Sequence, residues 1–214
     1  MSRAAPIIMV DGSIVDLLAL RPEDVSFRHI ALALSRIARW SGRHLPPAIP
    51  VAQHCVMGAD AIMREHRDRP ALAQTAAGYF MLHDAHEYLT GDVTRPVVVA
   101  LDALLAPVAG PRAVSAAMET IKGRLDLAIA AAAHALPLAR FPECAAIVAD
   151  MDERMAAAEA RYLYGARGAV PLVRSGLPEP QLADSFVRPW APMKAEEAYC
   201  DRLDRYLGID VRAA

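Results

Sequence analysis

Hydrophobic residues recur every three or four positions along most of the chain, which is the spacing of one face of an α-helix. The exception lies near the N-terminus, where two short apolar runs flank the pair Asp11-Gly12. Such a pair between apolar runs is a strong hairpin signal, and we predict a β-hairpin at residues 7–16. Ser26 is a suitable N-cap for the first helix, and Gly42 follows the end of its apolar stripe. The pattern therefore predicts an all-α fold with a small N-terminal β-hairpin.

The remaining predicted helices are separated by Gly, Pro or short polar segments. They are predicted at about residues 51–66, 71–88, 97–105, 112–135, 142–164 and 193–207. Residues 165–192 contain several Gly and Pro residues and are predicted to be irregular, covering either a pocket or an interface. At 214 residues the chain is expected to form a single domain, residues 1–214, with a helical core at residues 26–164.

Ionisable side chains interrupt the apolar faces of two neighbouring predicted helices. His54 lies in line with apolar residues of the second helix, and His83 and Glu87 continue an apolar row of the third. Asp84 follows His83 and points about 100° around the helix, close enough to share a ligand. A buried charge or imidazole is costly unless it is paired, hydrogen-bonded or bound to a metal. These residues predict a divalent metal site, with a buried polar network as the alternative.

A further ligand is expected from the predicted helix at 142–164, which offers two aspartates. Asp150 shares its face with Glu153 and Arg154 and should meet solvent, whereas Asp152 lies in line with apolar positions. Periodicity therefore favours Asp152. Two imidazoles and two carboxylates suit five- or six-coordinate Mn, Co, Mg, Fe or Zn.

Positions left open on such a metal are typical of a catalytic site, because the metal makes water a nucleophile near neutral pH. Glu87 and Asp92 are placed to steer that water or to protonate a leaving group. Support of the ligands, or capping of the loop after Gly91, is the alternative for both carboxylates. His86, one residue before Glu87, is predicted to lie at the helix surface.

The string formed by His54, His83-Asp84 and Asp152 resembles the metal-binding pattern of the HD-domain phosphohydrolases. The dipeptide His-Asp alone is common by chance. The longer run HDAHEYLTGD, residues 83–92, is similar to the HD segment of the 5′-deoxynucleotidase branch, in which Glu and Asp follow the dipeptide at these offsets.

Two further segments carry the same resemblance. Arg39-Trp40 precedes His54 by 15 and 14 residues, where that branch has an Arg-Trp or Arg-Phe pair. The run DERMAAAEAR, residues 152–161, resembles the family's Asp-containing helix ending in Glu-Ala-Arg, which selects Asp152 again. With similar entry and exit segments, the resemblance covers nearly the whole chain.

The resemblance implies an all-helical HD fold, one bound divalent metal ion and hydrolysis of a phosphate ester on a nucleotide. It implies the metal ligands His54, His83, Asp84 and Asp152. Glu87 would be the catalytic carboxylate beside the attacking water, and Asp92 would assist proton transfer. The leading function is cleavage of deoxynucleoside 5′-monophosphates to deoxynucleoside and phosphate.

The substrate contacts are also taken from the resemblance. Arg39 would hold phosphate, and Trp40 would border the sugar and help to exclude a 2′-hydroxyl. Arg95 is a further candidate for phosphate, with a solvated loop charge as its alternative. Val98 stands where the branch often has Lys, which weighs against a triphosphate. Removal of tripolyphosphate from a dNTP by the same site, or a non-catalytic binding protein with a degenerate site, remain alternative functions.

Composition narrows the classes of partner. The net charge of −2 and the absence of a basic stripe predict no nucleic-acid partner. No apolar run reaches the roughly 18 residues of a membrane-spanning helix, so no membrane partner is expected. Cys55, Cys144 and Cys200 are far apart without a CxxC pair, which favours a reducing, cytoplasmic location. The expected partners are a small nucleotide and a second copy in a homodimer, with the Ala-rich helix 112–135 in the core or at the interface.

Overall fold

The computed structural model of the chain describes residues 5–43, 47–169, 174, 176–184 and 188–212. Two short antiparallel strands, β1 (Pro6–Ile8) and β2 (Ile14–Asp16), come first. The helices that follow are α1 (Phe27–Leu34), α2 (Val51–Glu65), α3 (Pro70–Leu82), α4 (Glu87–Thr90), α5 (Arg95–Ala109), α6 (Ala113–Ala132), α7 (Pro142–Ala169) and α8 (Pro192–Leu207). The predicted all-α fold with a small N-terminal β-hairpin is confirmed.

The hairpin has the residues that its sequence signal requires. Ile7 pairs with Val15, and the Asp11 carboxylate accepts hydrogen bonds from the backbone N–H of Ser13 at 2.9 Å and from its hydroxyl at 2.7 Å. Gly12 has a φ of +83°, which other residues rarely adopt. The turn chemistry therefore places the hairpin where the apolar pattern predicts it.

Helices α2 and α3 form the centre of the bundle, with α7 and α8 packed against both. The two central helices approach closely at Gly58 and Phe80. A Cβ atom at Gly58 would lie only 2.2 Å from Cε1 of Phe80, so the ring occupies the space that a side chain at this position would need. Phe80 is fully buried as a result.

The predicted helix at 71–88 is wrong in its C-terminal part, because α3 ends at Leu82. The next residues bond over three positions instead of four: the Ala85 N–H donates to the Leu82 carbonyl, and the Glu87 N–H donates to the Asp84 carbonyl. A short helix, α4, begins only at Glu87. The tighter winding turns residues 83–87 away from the single apolar row that the sequence indicates.

The first helix also ends earlier than its apolar stripe predicts. The Ser26 hydroxyl accepts a hydrogen bond from the His29 N–H, as expected of an N-cap, but α1 stops at Leu34. Backbone bonds join residues 37–39 to residues 49–51, and this pairing takes the chain out of the helical path. A separate 3-10 turn follows at Arg39–Gly42.

The segment predicted to be irregular, residues 165–192, has two parts that the structure describes differently. Helix α7 continues to Ala169 past a break at Gly165, so the irregular prediction is wrong there. Further on, Arg154 donates hydrogen bonds to the carbonyls of Pro178 (3.1 Å) and Glu179 (3.0 Å), which attaches this part to the bundle. Residues 170–173, 175 and 185–187 of the prediction lie outside the described residues.

Helices α5 and α6 form a hairpin at one side of the bundle. Helix α6 contributes Leu125 and Ile129 to the core, whereas α5 has no buried residue. The Asp102 carboxylate of α5 accepts a hydrogen bond from the N–H of Val114 at 2.8 Å and so ties the two helices together. No single helix of the described part is long and apolar enough to cross a membrane; α5 and α6 meet that requirement only together, bent by 114°.

Candidate metal centre

Three predicted ligand side chains, those of His54, His83 and Asp84, bring their ligand atoms within 4.8 Å of one another between α2 and the end of α3, and Asp152 of α7 lies beside the two imidazoles. The Nε2 atom of His54 lies 3.3 Å from Nε2 of His83 and 3.2 Å from Oδ1 of Asp152. Nε2 of His83 lies 3.2 Å from Oδ2 of Asp84 and 3.7 Å from Oδ1 of Asp152. Ligand atoms about 2.1 Å from a common ion lie about 3 Å apart when adjacent and about 4.2 Å apart when opposite. The measured distances fall in this range.

Both imidazoles have their protons directed away from this point. Nδ1 of His54 lies 2.8 Å from Oε1 of Glu159, and Nδ1 of His83 lies 2.7 Å from the carbonyl oxygen of Phe80. Because both partner atoms are acceptors, a proton on each Nδ1 satisfies them and leaves the lone pair of each Nε2 for a metal ion. Burial alone would lower the pKa of both imidazoles, but the surrounding carboxylates outweigh it and raise the pKa, so positive charge is favoured at this place. Two lone pairs 3.3 Å apart repel each other unless a cation lies between them. The donor set and its tautomers therefore fit a metal ion.

Glu159 contacts the candidate centre and is not among the residues predicted from the sequence. It is fully buried, and besides the imidazole of His54 it accepts hydrogen bonds from Nε of Arg39 at 2.7 Å and from Nε1 of Trp40 at 3.1 Å. It follows Asp152 by seven residues, two turns along the same face of α7. This spacing is the sequence signal that could have identified Glu159, because it places a second acidic residue on the same helix face as a predicted ligand.

Arg39 and Trp40, predicted to contact substrate, reach the centre from the 3-10 turn. Both Trp40 and Ser41 have left-handed φ values, +60° and +54°, which is costly for residues other than glycine. Arg39 donates one hydrogen bond from Nε to Glu159 and another from Nη1 to Asp84, the latter at 3.2 Å. Burial alone would lower the pKa of Arg39, but Glu159 and Asp84 outweigh it and raise the pKa, so the guanidinium stays charged.

The two aspartates considered for α7 have different surroundings. Asp152 belongs to the convergent group, although its side chain is 45% exposed and so lies at the rim of the core. Asp150 is exposed and pairs with Arg154 at 3.2 Å, as its predicted solvent-facing position indicates. Arg154 itself is buried, contrary to that prediction, because it makes two 2.7 Å hydrogen bonds to the Glu65 carboxylate.

One side of the centre, next to α4, is formed by Glu87, Asp92 and His86. Glu87 is only 7% exposed, and burial together with the charges of Asp84 and Asp92 raises its pKa to about 8. Burial also raises the pKa of Asp92. The prediction that His86 lies at the helix surface is wrong: it is 2% exposed, and its Nδ1 lies 2.9 Å from Oδ1 of Asp126. The helix ends before His86, so its side chain does not follow the outer face of α3.

A cavity of about 720 Å³ lies beside the centre. Three guanidinium groups line it, those of Arg39, Arg43 and Arg95, and so do Trp40 and Asp92. The predicted substrate-contact residues therefore share one cavity. Because helix α5 begins at this cavity, the partial positive charge of its N-terminus adds to that of the arginines.

Comparisons with known proteins identify no activity. No protein-family model matches the chain. An uncharacterised protein of Rhodobacter capsulatus is 33% identical to it over 94 residues. The match covers 44% of this chain and 46% of the relative, so the chain spans less than half of the length of that protein.

Proposed function

We propose that the chain is a metal-dependent phosphohydrolase of the HD-domain type, acting on deoxynucleoside 5′-monophosphates to give deoxynucleoside and phosphate. One observation carries the proposal: Nε2 of His54 faces Nε2 of His83 at 3.3 Å, with both Nδ1 protons given to other acceptors. Two carboxylates complete the group. Such a set of nitrogen and oxygen donors suits a divalent transition metal or Mg.

His54, His83, Asp84 and Asp152 would hold one divalent ion, either Mn, Co, Mg, Fe or Zn. When bound, the ion supplies Lewis acidity that polarises the phosphoryl group and makes water nucleophilic near neutral pH. Glu159 fixes the tautomer of His54 and balances the charge of Arg39. The four proposed ligands and Glu159 then belong to one network of contacts in which each N–H donor has a hydrogen-bond acceptor.

Glu87 is the proposed proton acceptor for the attacking water. Its carboxylate is buried next to Asp84, and a proton acceptor with a pKa near the working pH is efficient. Asp92 lines the cavity and is the proposed proton donor to the leaving oxygen of the sugar. Burial favours the protonated form of Asp92, which that role requires.

The cavity suits a phosphate attached to a flat, apolar group. Arg43, Arg95 and the N-terminus of α5 are the proposed phosphate contacts, with Arg39 linking them to the metal ligands. Trp40 lies edge-on to Tyr164, with 5.8 Å between ring centroids, and gives the cavity an aromatic wall. In the proposal this wall borders the sugar and leaves no room for a 2′-hydroxyl.

A second candidate function uses the same centre to release tripolyphosphate from a dNTP. The observation in its favour is that Arg43 and Arg95 line the cavity in addition to Arg39, whose charge is already paired with Glu159 and Asp84. The substitution of Val98 for the Lys of related proteins weighs against it. In either case the substrate is an intracellular nucleotide, and a cytoplasmic location is part of the proposal, in keeping with three free cysteines.

Phosphate release from protein stripped of metal and re-supplied with Mn, Co, Mg or Zn tests the proposal. The substrates are the four dNMPs, the matching NMPs and the four dNTPs. We expect free phosphate from dNMPs, with a lower rate for NMPs that rises in Trp40→Ala. Tripolyphosphate from dNTPs would support the second candidate instead. No product with any metal would refute both activities and favour a binding protein with a degenerate site.

A further inference from the structure

A second group of potential ligands lies next to the first. Asp84, His86 and Glu87 each offer a donor atom, and these atoms all lie within 4.8 Å of one another. Asp84 belongs to both groups, because its Oδ2 also lies 3.2 Å from Nε2 of His83. A carboxylate has two oxygens and can serve two neighbouring cations.

His86 is arranged like the two histidines of the first group. Its Nδ1 lies 2.9 Å from the Asp126 carboxylate, so Nδ1 carries the proton and Nε2 presents a lone pair. His54 has the same relation to Glu159. A carboxylate behind an imidazole fixes the tautomer and strengthens the other nitrogen as a metal ligand. His86 is only 2% exposed, and its Nε2 has no hydrogen-bond partner among the residues that the structure describes.

Glu87 also has an unsatisfied atom. Its Oε2 is buried without a hydrogen-bond partner in the described part of the chain, and the side chain is only 7% exposed. A buried acceptor without a donor is destabilising, and two in one place are rare in native proteins. With a pKa of about 8, Glu87 is mostly protonated near neutral pH. In its ionised form both unsatisfied atoms are lone-pair acceptors, so neither can satisfy the other. A cation satisfies both at once.

We propose that Asp84, His86 and Glu87 form a second divalent-cation site beside the first, and that its occupation withdraws Glu87 from proton transfer. The second part rests on the proposed function, in which Glu87 accepts the proton. The second site has three protein ligands, one of them shared, whereas the first has four. It is therefore the weaker of the two. Its nitrogen and oxygen donors suit Zn, Mn or Fe.

Sequential filling of the two sites gives a recognisable response to added metal. The first equivalent completes the centre at His54 and His83, and turnover rises. The second equivalent engages Glu87, and turnover falls because the water loses its proton acceptor. Excess metal is therefore expected to inhibit the enzyme by about tenfold or more.

Metal counting tests the site without reference to activity. Wild-type protein, dialysed against micromolar Zn or Mn and analysed by mass spectrometry, should contain two ions per chain. His86→Ala should contain one. His66→Ala, which removes a histidine at the end of α2 remote from both groups, is the matched control and should contain two. Circular dichroism establishes that each variant is folded, and His86→Asn replaces His86→Ala if the latter unfolds.

The outcomes separate this inference from the proposed function. One ion in both wild type and His86→Ala refutes the second site and leaves the first standing. No ion in wild type refutes both sites. Two ions in both proteins refute His86 as a ligand. A proton relay, in which a water joins Nε2 of His86 to Glu87, gives one ion in wild type and is therefore also distinguished.

Two further measurements check the position and the effect of the second ion. An anomalous difference map from a Mn- or Zn-loaded crystal should show a peak between Asp84, His86 and Glu87; a peak elsewhere refutes the assignment. Inhibition by excess metal should be present in wild type and in His66→Ala and lost in His86→Ala. Inhibition that persists in His86→Ala refutes the link between this site and Glu87.

Discussion

At the centre of the bundle His54 and Glu159 are fully buried, whereas on the α5 helix Leu104 and Val108 are 74% and 82% exposed. The first region buries ionisable side chains, whereas the second exposes apolar side chains. The buried polar groups are each tied to named partners: Glu159 alone accepts three side-chain hydrogen bonds. The exposed apolar groups of α5 have no such cover in the described part of the chain.

This contrast shows which observations indicate a function. Buried ionisable groups are costly, and a set of them that lies within a few ångströms is difficult to explain by stability alone. An exposed apolar stripe indicates instead a surface that another surface covers. Along α5 the stripe repeats at helical spacing through Val97, Leu101, Leu104, Leu105 and Val108. The first region therefore points to chemistry and the second to association.

Loss of a ligand is expected to have the largest effect. His83→Ala or Asp84→Ala should abolish binding of the first ion and all turnover, because each removes an atom of the convergent group. Metal content and phosphate release are measured on the same preparation, after circular dichroism shows a folded chain. Asp150→Ala is the matched control for Asp152→Ala and should change little. If Asp150→Ala removes the metal and Asp152→Ala does not, the assignment of Asp152 is refuted.

Loss of the proposed proton acceptor is expected to be the next largest effect. Glu87→Ala should keep the ion held by His54 and His83 but reduce turnover by about 10² or more, the usual contribution of a positioned proton-transfer group. Metal analysis together with steady-state rates separates the two properties. Normal turnover in Glu87→Ala would exclude Glu87 from the reaction.

A smaller effect is expected for the residue that orients His54. Glu159→Ala should weaken binding of the first ion by about 10- to 100-fold, because the tautomer of His54 and the position of Arg39 are no longer fixed. Titration with Zn in the presence of a competing chelator measures the affinity. Glu159→Gln can still accept one hydrogen bond and should lose less; an equal loss would indicate that charge, not tautomer, is what Glu159 provides.

Substitutions in the apolar stripe of α5 are expected to have the smallest effect on metal content and turnover. Leu104→Glu with Val108→Glu should leave metal content and turnover unchanged, because neither residue contacts the ligands or the cavity. We expect the wild type to be a homodimer that pairs this stripe with its copy, since α5 carries only Arg95 and Asp102 as charges and Asp102 is bonded to α6. Sedimentation should then show monomer for the double variant.

Val10→Glu, at an exposed apolar residue of the hairpin, is the control for that experiment and should remain dimeric. A wild-type monomer would refute the homodimer. A dimer that survives the double substitution would place the interface on another surface.

Much of the fold could be predicted because the apolar period is local. The hairpin follows from Asp11-Gly12. Ser26 can be recognised as an N-cap because it lies only three residues before the N–H to which its side chain bonds. The end of α3 at Leu82 could not be predicted, because no Gly or Pro follows it before Gly91 and only the tighter hydrogen bonding ends the helix. That single difference also moved His86 from the predicted surface to a buried position.

The sequence predicts the side chains that the structure brings together at the candidate centre, but not the residues that support them. His54, His83, Asp84 and Asp152 stand out because they are polar residues on or beside apolar faces. Glu159 stands out equally by spacing, but its role depends on Arg39 and Trp40, which reach it through a left-handed turn. No periodic pattern encodes such a turn. The sequence therefore indicates which residues are unusual, and the structure shows which of them hold each other.

The close approach of α2 and α3 at Gly58 has a consequence for the two imidazoles. The Phe80 ring that fills this space lies 4.4 Å from the His83 ring and 5.4 Å from the His54 ring, centroid to centroid. The separation of the two imidazoles is thus set by an aromatic ring, whose position requires a residue without a side chain at 58. A side chain at Gly58, one helical turn after His54, would displace the Phe80 ring, so Gly58 helps to set the spacing of the two imidazoles in the proposed metal site without a ligand atom of its own.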